Sequence, residues 1–195
     1  MTEVDIRREY PTVKALEKLN EWWPSPDGMN FAVYEGNEEF LLGHVQCRIT
    51  TNSYLGRELS EKYTLHIQQI IVCDDLRGCG ILAVICKRLI DVAEEAGVFM
   101  VGTARNFNGC LPQIRTGEGY LRFLEMGFGG YKKRREESKA SKSLLQKYVE
   151  YGFCRYDGTG YPMNDRRWKK LCFGYASSRL EDKKVAQFLQ SHLLC

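Results

Sequence analysis

Residues 68–97 read QQIIVCDDLRGCGILAVICKRLIDVAEEAG, and the fold prediction starts from them. An apolar run stops at two acids, and a turn with Arg77, Gly78 and Gly80 leads into an amphipathic segment. Apolar residues recur at helical spacing over 80–96, and Gly97 stands where a helix would end. The β-branched run at 64–72 suits a central strand. The stretch therefore predicts a strand, a glycine-rich turn and a long helix.

The predicted turn has the parts of a pyrophosphate-binding site. The first turn of a helix offers unpaired N–H groups and the positive end of the helix dipole. Gly78 and Gly80 would let a ligand approach the backbone closely, and Arg77 adds a cation. The alternative is a glycine-rich turn that binds nothing.

Two common nucleotide-binding motifs do not fit this turn. The P-loop G-x-x-x-x-G-K-[ST] is absent. The dinucleotide fingerprint G-x-G-x-x-G/A is only partly met by residues 78–83, because CDDLR separates the turn from its strand and a hairpin precedes that strand. The next strand ends in VGTAR, without the acid that would bind a ribose.

Length and composition indicate one soluble domain, or one domain with an appendage. The chain has 195 residues, of which 44% are hydrophobic and 27% charged, and its net charge of +3 permits an acidic ligand without requiring one. The eight cysteines form no C-x-x-C pair, so no metal site is predicted. The charged N-terminus and the absence of a long apolar run indicate a cytoplasmic protein with free thiols and no membrane contact.

Periodicity predicts the remaining elements. A helix is expected at 11–23, a hairpin of strands at 31–34 and 40–50, a loop at 52–62 and a buried strand at 98–103. A loop at 104–116, a short helix and a strand at 128–131 would follow. The order gives an α/β fold with an antiparallel start and a crossover helix. Beyond residue 131, a charge run precedes a tail that ends in an amphipathic helix at 180–194.

Two segments resemble motifs of the GNAT family (Gcn5-related N-acetyltransferases). The acetyl-CoA loop of that family reads [QR]-x-x-G-x-[GA], and residues 77–82 here read RGCGIL. Residues 123–128, FLEMGF, resemble the family segment Y-E-K-L-G-F. The resemblance covers residues 10–131. It implies a mixed, mostly antiparallel central sheet flanked by helices, with a GNAT-like core at 1–131 and an α/β extension at 132–195 packed on that core.

The resemblance also implies an acyl-CoA-dependent N-acyltransferase that passes the acyl group, expected to be acetyl, directly to an amine acceptor. Strand 64–72 would splay from strand 98–103, and the cofactor's pantetheine arm would lie in the opening. The residues implied in acetyl-CoA binding are Ile70, Ile71, Val72, Arg77, Gly78, Cys79, Gly80, Ile81, Leu82 and Asn106.

The sequence departs from the family pattern at three positions. Leu82 stands where the family prefers Gly or Ala. His66 takes the place of the strand Glu that serves many members as base, and a His can act as base at neutral pH or simply pack in the sheet. Phe123 replaces the Tyr that protonates the thiolate; Tyr120, about one helical turn earlier, is the candidate substitute, or else an ordinary core or surface Tyr.

Two other functions stay open. A GNAT-shaped binding or inhibitory protein without turnover would explain the missing Tyr and Glu. A nucleic-acid-modifying member of the family would explain the mixture of basic and aromatic residues at 155–175, which could also be a small packed subdomain. In the loop at 104–116, Asn108 and Arg115 are candidate contacts with substrate or cofactor, or else part of a plain surface loop. Cys110 has no neighbouring base in sequence to make it a nucleophile.

Overall fold

The computed structural model describes residues 9–35, 40–73, 76–104, 137–160 and 170–195. Five helices lie in these ranges: α1 Pro11–Trp22, α2 Arg57–Tyr63, α3 Ile81–Ala96, α4 Glu137–Glu150 and α5 Lys183–His192. The strands are β1 Asn30–Glu35, β2 Phe40–Ile49, β3 Thr64–Val72, β4 Phe99–Thr103, β5 Cys154–Tyr156, β6 Cys172–Ala176 and β7 Leu193–Leu194.

All seven strands form one sheet in the order β1-β2-β3-β4-β6-β5-β7. The pair β3–β4 is parallel, and α3 makes the crossover between these two strands. The other five pairs are antiparallel. The predicted fold class, a mixed and mostly antiparallel sheet flanked by helices, is confirmed.

Most of the predicted elements are found with small shifts at their ends. The strand at 64–72 is confirmed, and α3 starts after Gly80 and ends at Gly97, which has a left-handed backbone. The predicted loop at 52–62 is wrong, because residues 57–63 form α2. The last helix is shorter than predicted: Asp182 accepts hydrogen bonds from Lys184 N and Val185 N as its N-cap, and residues 193–194 belong to β7.

The sheet has a hydrophobic core on each face. The larger core packs α1, α3 and α4 against one face, with Leu19, Leu89 and Tyr148 among its buried members. The smaller core, on the opposite face, places α5 against β4, β5 and β6 through Val185 and Leu189. Each face of the central strands is therefore covered by different helices.

Strand β3 contains a bulge that changes which side chains reach the larger core. Gln46 pairs with Gln69 and Cys47 with Ile67, so Gln68 is left without a partner in β2. Leu65 and Ile67 face the larger core before the bulge, and Ile70 and Val72 pack against it afterwards. An inserted residue shifts the period-2 alternation by one position, which keeps the apolar side chains on one face.

Strands from beyond residue 131 complete the sheet. Residues 172–176 of β6 pair with β4 from Phe99↔Ala176 to Thr103↔Cys172. Strand β5 pairs with β6 on its other side. The predicted domain boundary at residue 131 stays a prediction, because residues 105–136 lie outside the described ranges.

The prediction that every cysteine is a free thiol is wrong for two of them. Cys154 and Cys195 form a disulfide with a Cα–Cα distance of 4.8 Å. The β5–β7 pair brings them together, since Arg155 pairs with Leu194. The free cysteines of the described ranges are Cys47, Cys73, Cys79, Cys86 and Cys172.

Two features are absent from the described ranges. No helix there combines the length and the apolar content that crossing a membrane requires. No cluster of three or more His, Cys, Asp or Glu side chains that could hold a metal ion occurs in the same residues.

Glu94 joins the end of α3 to the connection after β6. Its carboxylate accepts hydrogen bonds from Tyr175 Oη at 2.6 Å, Ser178 N at 2.9 Å and Ser178 Oγ at 2.8 Å. Burial alone would raise the pKa of Glu94, but these bonds outweigh it and hold the pKa below its ordinary value of 4.5. The ionised carboxylate therefore stabilises the folded state.

Replacing Glu94 with Ala should lower the free energy of unfolding by about 0.5–1.5 kcal/mol at pH 7, because the half-buried Tyr175 hydroxyl and the exposed Ser178 amide and hydroxyl lose a charged acceptor. The loss should shrink as the pH falls through the lowered folded-state pKa, where the wild-type carboxyl is protonated too. Urea unfolding at pH 7 and pH 3.5 measures both values. Glu17→Gln, at an exposed position on α1, is the control; an equal loss there would contradict the role given to Glu94.

Candidate functional site

Strand β3 extends beyond its parallel partner. It pairs with β4 from Thr64↔Phe99 to Ile67↔Gly102, whereas its pairing with β2 continues to Val72. Residues 68–72 therefore have β2 on one side and, among the described residues, no strand on the other. We call this divergence of β3 from β4 the fork. An open strand edge presents backbone N–H and C=O groups that a ligand can bind.

Two glycines shape the strands around the fork. A Cβ on Gly102, at the last β3–β4 pair, would lie 2.5 Å from Cζ of Phe173 and 3.1 Å from the Ile67 carbonyl oxygen. A Cβ on Gly43 would overlap the carbonyl oxygen of Ile71. Both positions need glycine because a neighbour fills the space of a side chain. The sequence analysis did not identify either residue.

Residues 76–80 form the turn between the fork and α3, and we call them the glycine turn. Gly78 and Gly80 have φ values of 88° and 82°, a conformation that glycine adopts without strain. Apart from its neighbours in the chain, no described residue has an atom within 4 Å of a Cβ built on Gly78 or Gly80. The turn is exposed from Arg77 to Gly80. A ligand could therefore reach its backbone directly.

The backbone amides around the start of α3 fall into two groups. Cys79 N donates to the Leu76 carbonyl at 3.2 Å, and the Gly80 carbonyl accepts from Ala83 N and Val84 N. No acceptor is recorded in the described ranges for the amides of Gly78, Gly80, Ile81 and Leu82. The first turn of α3 also contains no acidic residue. These four amides and the positive end of the helix dipole suit an anionic ligand.

His66 lies at the base of the fork. It pairs with Val101 of β4 and with Arg48 of β2, one residue before the last β3–β4 pair. Its side chain is half-buried and points to the face opposite the larger core, because Leu65 and Ile67 on either side of it face that core. The structure thus brings His66 and residues 70–72 to the same fork from opposite sides of the bulge.

Tyr148 of α4, which was not predicted as a site residue, lies one aromatic ring away from the last β3–β4 pair. Its ring stacks on the ring of Phe173 with 4.1 Å between centroids and an interplanar angle of 18°. Phe173 in turn covers Gly102, at the last β3–β4 pair. Burial, and to a smaller extent the nearby Cys86, raise the pKa of Tyr148, so its phenol stays protonated at neutral pH.

A sequence signal for Tyr148 does exist. Residues 148–153 read YVEYGF, which has the Tyr, Gly and Phe of the segment Y-E-K-L-G-F at the same spacing. In the structure this segment ends α4 and enters β5 through Gly152, whose φ is 104°. FLEMGF at 123–128 matched the segment without its Tyr. Residues 106, 108, 110, 115, 120 and 123, to which the sequence analysis gave possible roles, lie outside the described ranges.

Residues 3–109 match the model of the acetyltransferase (GNAT) family. No curated protein matches the sequence.

Solved structures with a similar fold include a GNAT-family acetyltransferase from Listeria monocytogenes, with 16% identity, a TM-score of 0.41 and coverage of 84% of this chain and 69% of that one. An acetoin utilization protein from Exiguobacterium sibiricum has 15% identity, a TM-score of 0.44 and coverage of 88% and 71%. The AtaTR complex with AcCoA has 10% identity, a TM-score of 0.37 and coverage of 78% and 69%. Because the family model matches more than half of its residues, the chain belongs to the GNAT acetyltransferase family.

Proposed function

We propose that this protein is an acyl-CoA-dependent N-acyltransferase that transfers an acetyl group directly from acetyl-CoA to an amine. The observation that carries the proposal is the fork: the open edge at residues 68–72 precedes, a few residues along the chain, the exposed glycine turn at the N-terminus of α3. One side of the site offers a strand edge, and the other offers amides for an anion. A long ligand with amides in one part and phosphates in another matches that sequence of groups.

The chain's residues fit acetyl-CoA at both ends of this site. The backbone of Ile70, Ile71 and Val72 would bind the amide-containing pantetheine arm as a neighbouring strand would. The amides of Gly78, Gly80, Ile81 and Leu82 would donate to the pyrophosphate, with Arg77 adding positive charge. Cys79 lies in the turn, where its amide is already bonded to Leu76. Asn106 stays a prediction.

Bound acetyl-CoA supplies a thioester, and its acyl group passes to the amine as a C–N bond forms and the C–S bond breaks. His66 would accept the proton that the amine nitrogen must lose, since a neutral imidazole is a base near pH 7. Its position at the base of the fork, next to the last β3–β4 pair, supports this role. Holding the amine beside the thioester would supply much of the rate acceleration.

Tyr148 would supply the proton that the leaving sulfur takes up. Its ring stacks on Phe173, and Phe173 in turn fills the space beside Gly102 at the last β3–β4 pair. This assignment supplies the acid that Phe123 cannot provide and is preferred to Tyr120, which stays a prediction. It also removes one of the two reasons for proposing an inactive GNAT-shaped protein. Nucleic-acid modification and a cytoplasmic location also stay predictions.

Titration calorimetry with acetyl-CoA, followed by an amine acceptor screen, tests the proposed function. Micromolar binding and release of free thiol in the presence of an amine are expected. Binding without thiol release for any amine would favour the inactive alternative. The absence of any heat of binding would overturn the proposal.

Gly80→Ala should weaken acetyl-CoA binding at least tenfold. The new side chain meets no atom of a described residue other than its chain neighbours within 4 Å. A φ of 82° is nevertheless strained for alanine, so the turn should change conformation. Gly28→Ala is the matched control, because Gly28 has a φ of 70° and equally open surroundings in a different loop. Calorimetry should show lost affinity for Gly80→Ala alone. Equal affinities for both variants, or an unchanged affinity for Arg77→Glu, would contradict the pyrophosphate site.

His66→Ala should lower kcat about 100-fold while the Kd for acetyl-CoA changes less than about threefold. Removing the base slows deprotonation of the amine but leaves the glycine turn intact. Steady-state kinetics over pH 6 to 9 and calorimetry measure the two quantities. Activity of the variant should recover partly at high pH, where more acceptor is already neutral. A parallel loss of affinity and turnover would assign His66 a packing role.

Tyr148→Phe should lower kcat by about tenfold to 100-fold, because the ring and its stacking on Phe173 remain and only the hydroxyl is lost. For an acyl thioester with a more acidic thiol leaving group, Tyr148→Phe should lower kcat much less. Tyr151→Phe, three residues along the same segment, is the control. If Tyr148→Phe lowers kcat equally for both thioesters, or has wild-type activity, the acid role is wrong.

A further inference from the structure

We propose that the acceptor amine carries an oxyanion, either a carboxylate or a phosphate monoester, and that Arg48 binds it. The inference rests on the proposed acyltransferase function and concerns the second substrate of the same site. Arg48 lies on β2 and has no part in the cofactor contacts described above. Three properties of Arg48 indicate this role: its register in the sheet, the orientation of its side chain and its charge.

Register places Arg48 next to the proposed base. Arg48 and His66 are directly paired residues of β2 and β3, so their side chains lie on the same face of the sheet. Cys47, before Arg48, is buried in the larger core on the opposite face. The glycine turn leads into α3, which packs on that larger core. Arg48 therefore lies across the sheet from the helix that would hold the cofactor phosphates.

Gln68 holds the Arg48 guanidinium near the fork. Gln68 is the bulged residue of β3, and the amide orientation that satisfies the local network points its oxygen at Arg48. That oxygen lies 3.0 Å from Nε, 3.1 Å from Nη2 and 3.3 Å from Nη1. A bulge re-aims a side chain, and here it directs a neutral acceptor to the cation. Fixing the guanidinium in advance reduces the entropy lost when a ligand binds.

The charge of Arg48 is not neutralised within the described part of the chain. None of the ion pairs found there involves Arg48, and its one polar contact there is with the uncharged Gln68 amide. The side chain is exposed. A guanidinium has five N–H donors in a planar fork that matches a carboxylate or a phosphate. The chemical partner that fits this group is an oxyanion.

Strand spacing limits the size of such an acceptor. Adjacent strands lie about 4.8 Å apart, so the distance from the gap between β3 and β4 to β2 is roughly 7 Å. An amine at the fork and an oxyanion at Arg48 can then belong to one small molecule. Arg48 would hold the acceptor so that its nitrogen points toward His66.

Two matched pairs of acceptors test the proposal: glycine against glycinamide, and phosphoethanolamine against ethanolamine. Each pair differs in whether an oxyanion accompanies the amine. The wild-type protein should favour the anionic member of at least one pair by tenfold or more in kcat/KM. The pair that shows the preference distinguishes carboxylate from phosphate.

Arg48→Gln should remove that preference mainly by raising KM, leaving the uncharged member within about twofold. Arg48→Lys should restore part of it, because the charge is kept and the bidentate geometry is lost. Arg179→Gln, at another exposed arginine, is the control and should behave as wild type. Ligand-observed NMR with CoA-loaded protein gives a second measurement, so binding of the anionic members is detected even without turnover.

The results separate this inference from the proposed function. Failure to bind acetyl-CoA would overturn both. A second outcome would overturn the role of Arg48 alone. In that outcome the protein binds acetyl-CoA, but wild type and Arg48→Gln both use or bind the charged and uncharged acceptors equally. Loss of acetyl-CoA affinity in Arg48→Gln would also overturn it, since Arg48 would then serve the cofactor side. If no member of either pair binds or reacts with the CoA-loaded protein, the small anionic acceptor is wrong.

Discussion

The site depends on an unequal pairing of β3, which stays bonded to β2 as far as Val72 but leaves β4 after Ile67. The bulge at Gln68 occurs where the two partners separate. The bulge shifts by one position the alternation of side chains between the two faces of the sheet. Apolar side chains therefore face the larger core on both sides of the bulge. Gly43 keeps β2 close to the departing part of β3, because any side chain there would overlap Ile71. The fork is thus built into the packing of the sheet.

This geometry separates two kinds of chemistry by face. On the side of the larger core lie α3 and α4, and Tyr148 of α4 is separated from Gly102 by the ring of Phe173. On the other side, His66 and Arg48 lie on the same face of β2 and β3. Under the proposed function, the proton acceptor and the proton donor would therefore act from opposite faces of the sheet.

The parts of the site encoded locally could be predicted from sequence, and the parts made by distant contacts could not. The strand at 64–72 and the turn into α3 follow from periodicity and glycine placement within one short stretch. Even the bulge is visible in the spacing of Leu65, Ile67, Ile70 and Val72. The helix α2 was not predicted because its sequence is polar. A long-range contact holds the helix in place: the Ser60 hydroxyl donates a hydrogen bond to the backbone carbonyl of Asn52. The segment YVEYGF marks Tyr148 in the sequence, but its contact with Phe173 of β6 joins distant parts of the chain and follows only from the fold.

The open edge of β3 also has an energetic meaning. In the interior of a sheet each strand is paired on both sides, and a backbone amide left unpaired away from water costs about 1–3 kcal/mol. Beyond Ile67, the groups of β3 that point away from β2 have no strand partner among the described residues, which leaves them open to water or a ligand. An amide-containing ligand laid along this edge would act as an additional strand and stabilise the sheet while it is held. A substitution that let β4 pair further along β3 would stabilise the empty protein and close the fork in the same step. If the fork binds a ligand, the incomplete pairing of β3 with β4 would be kept for that function even though it lowers the stability of the protein.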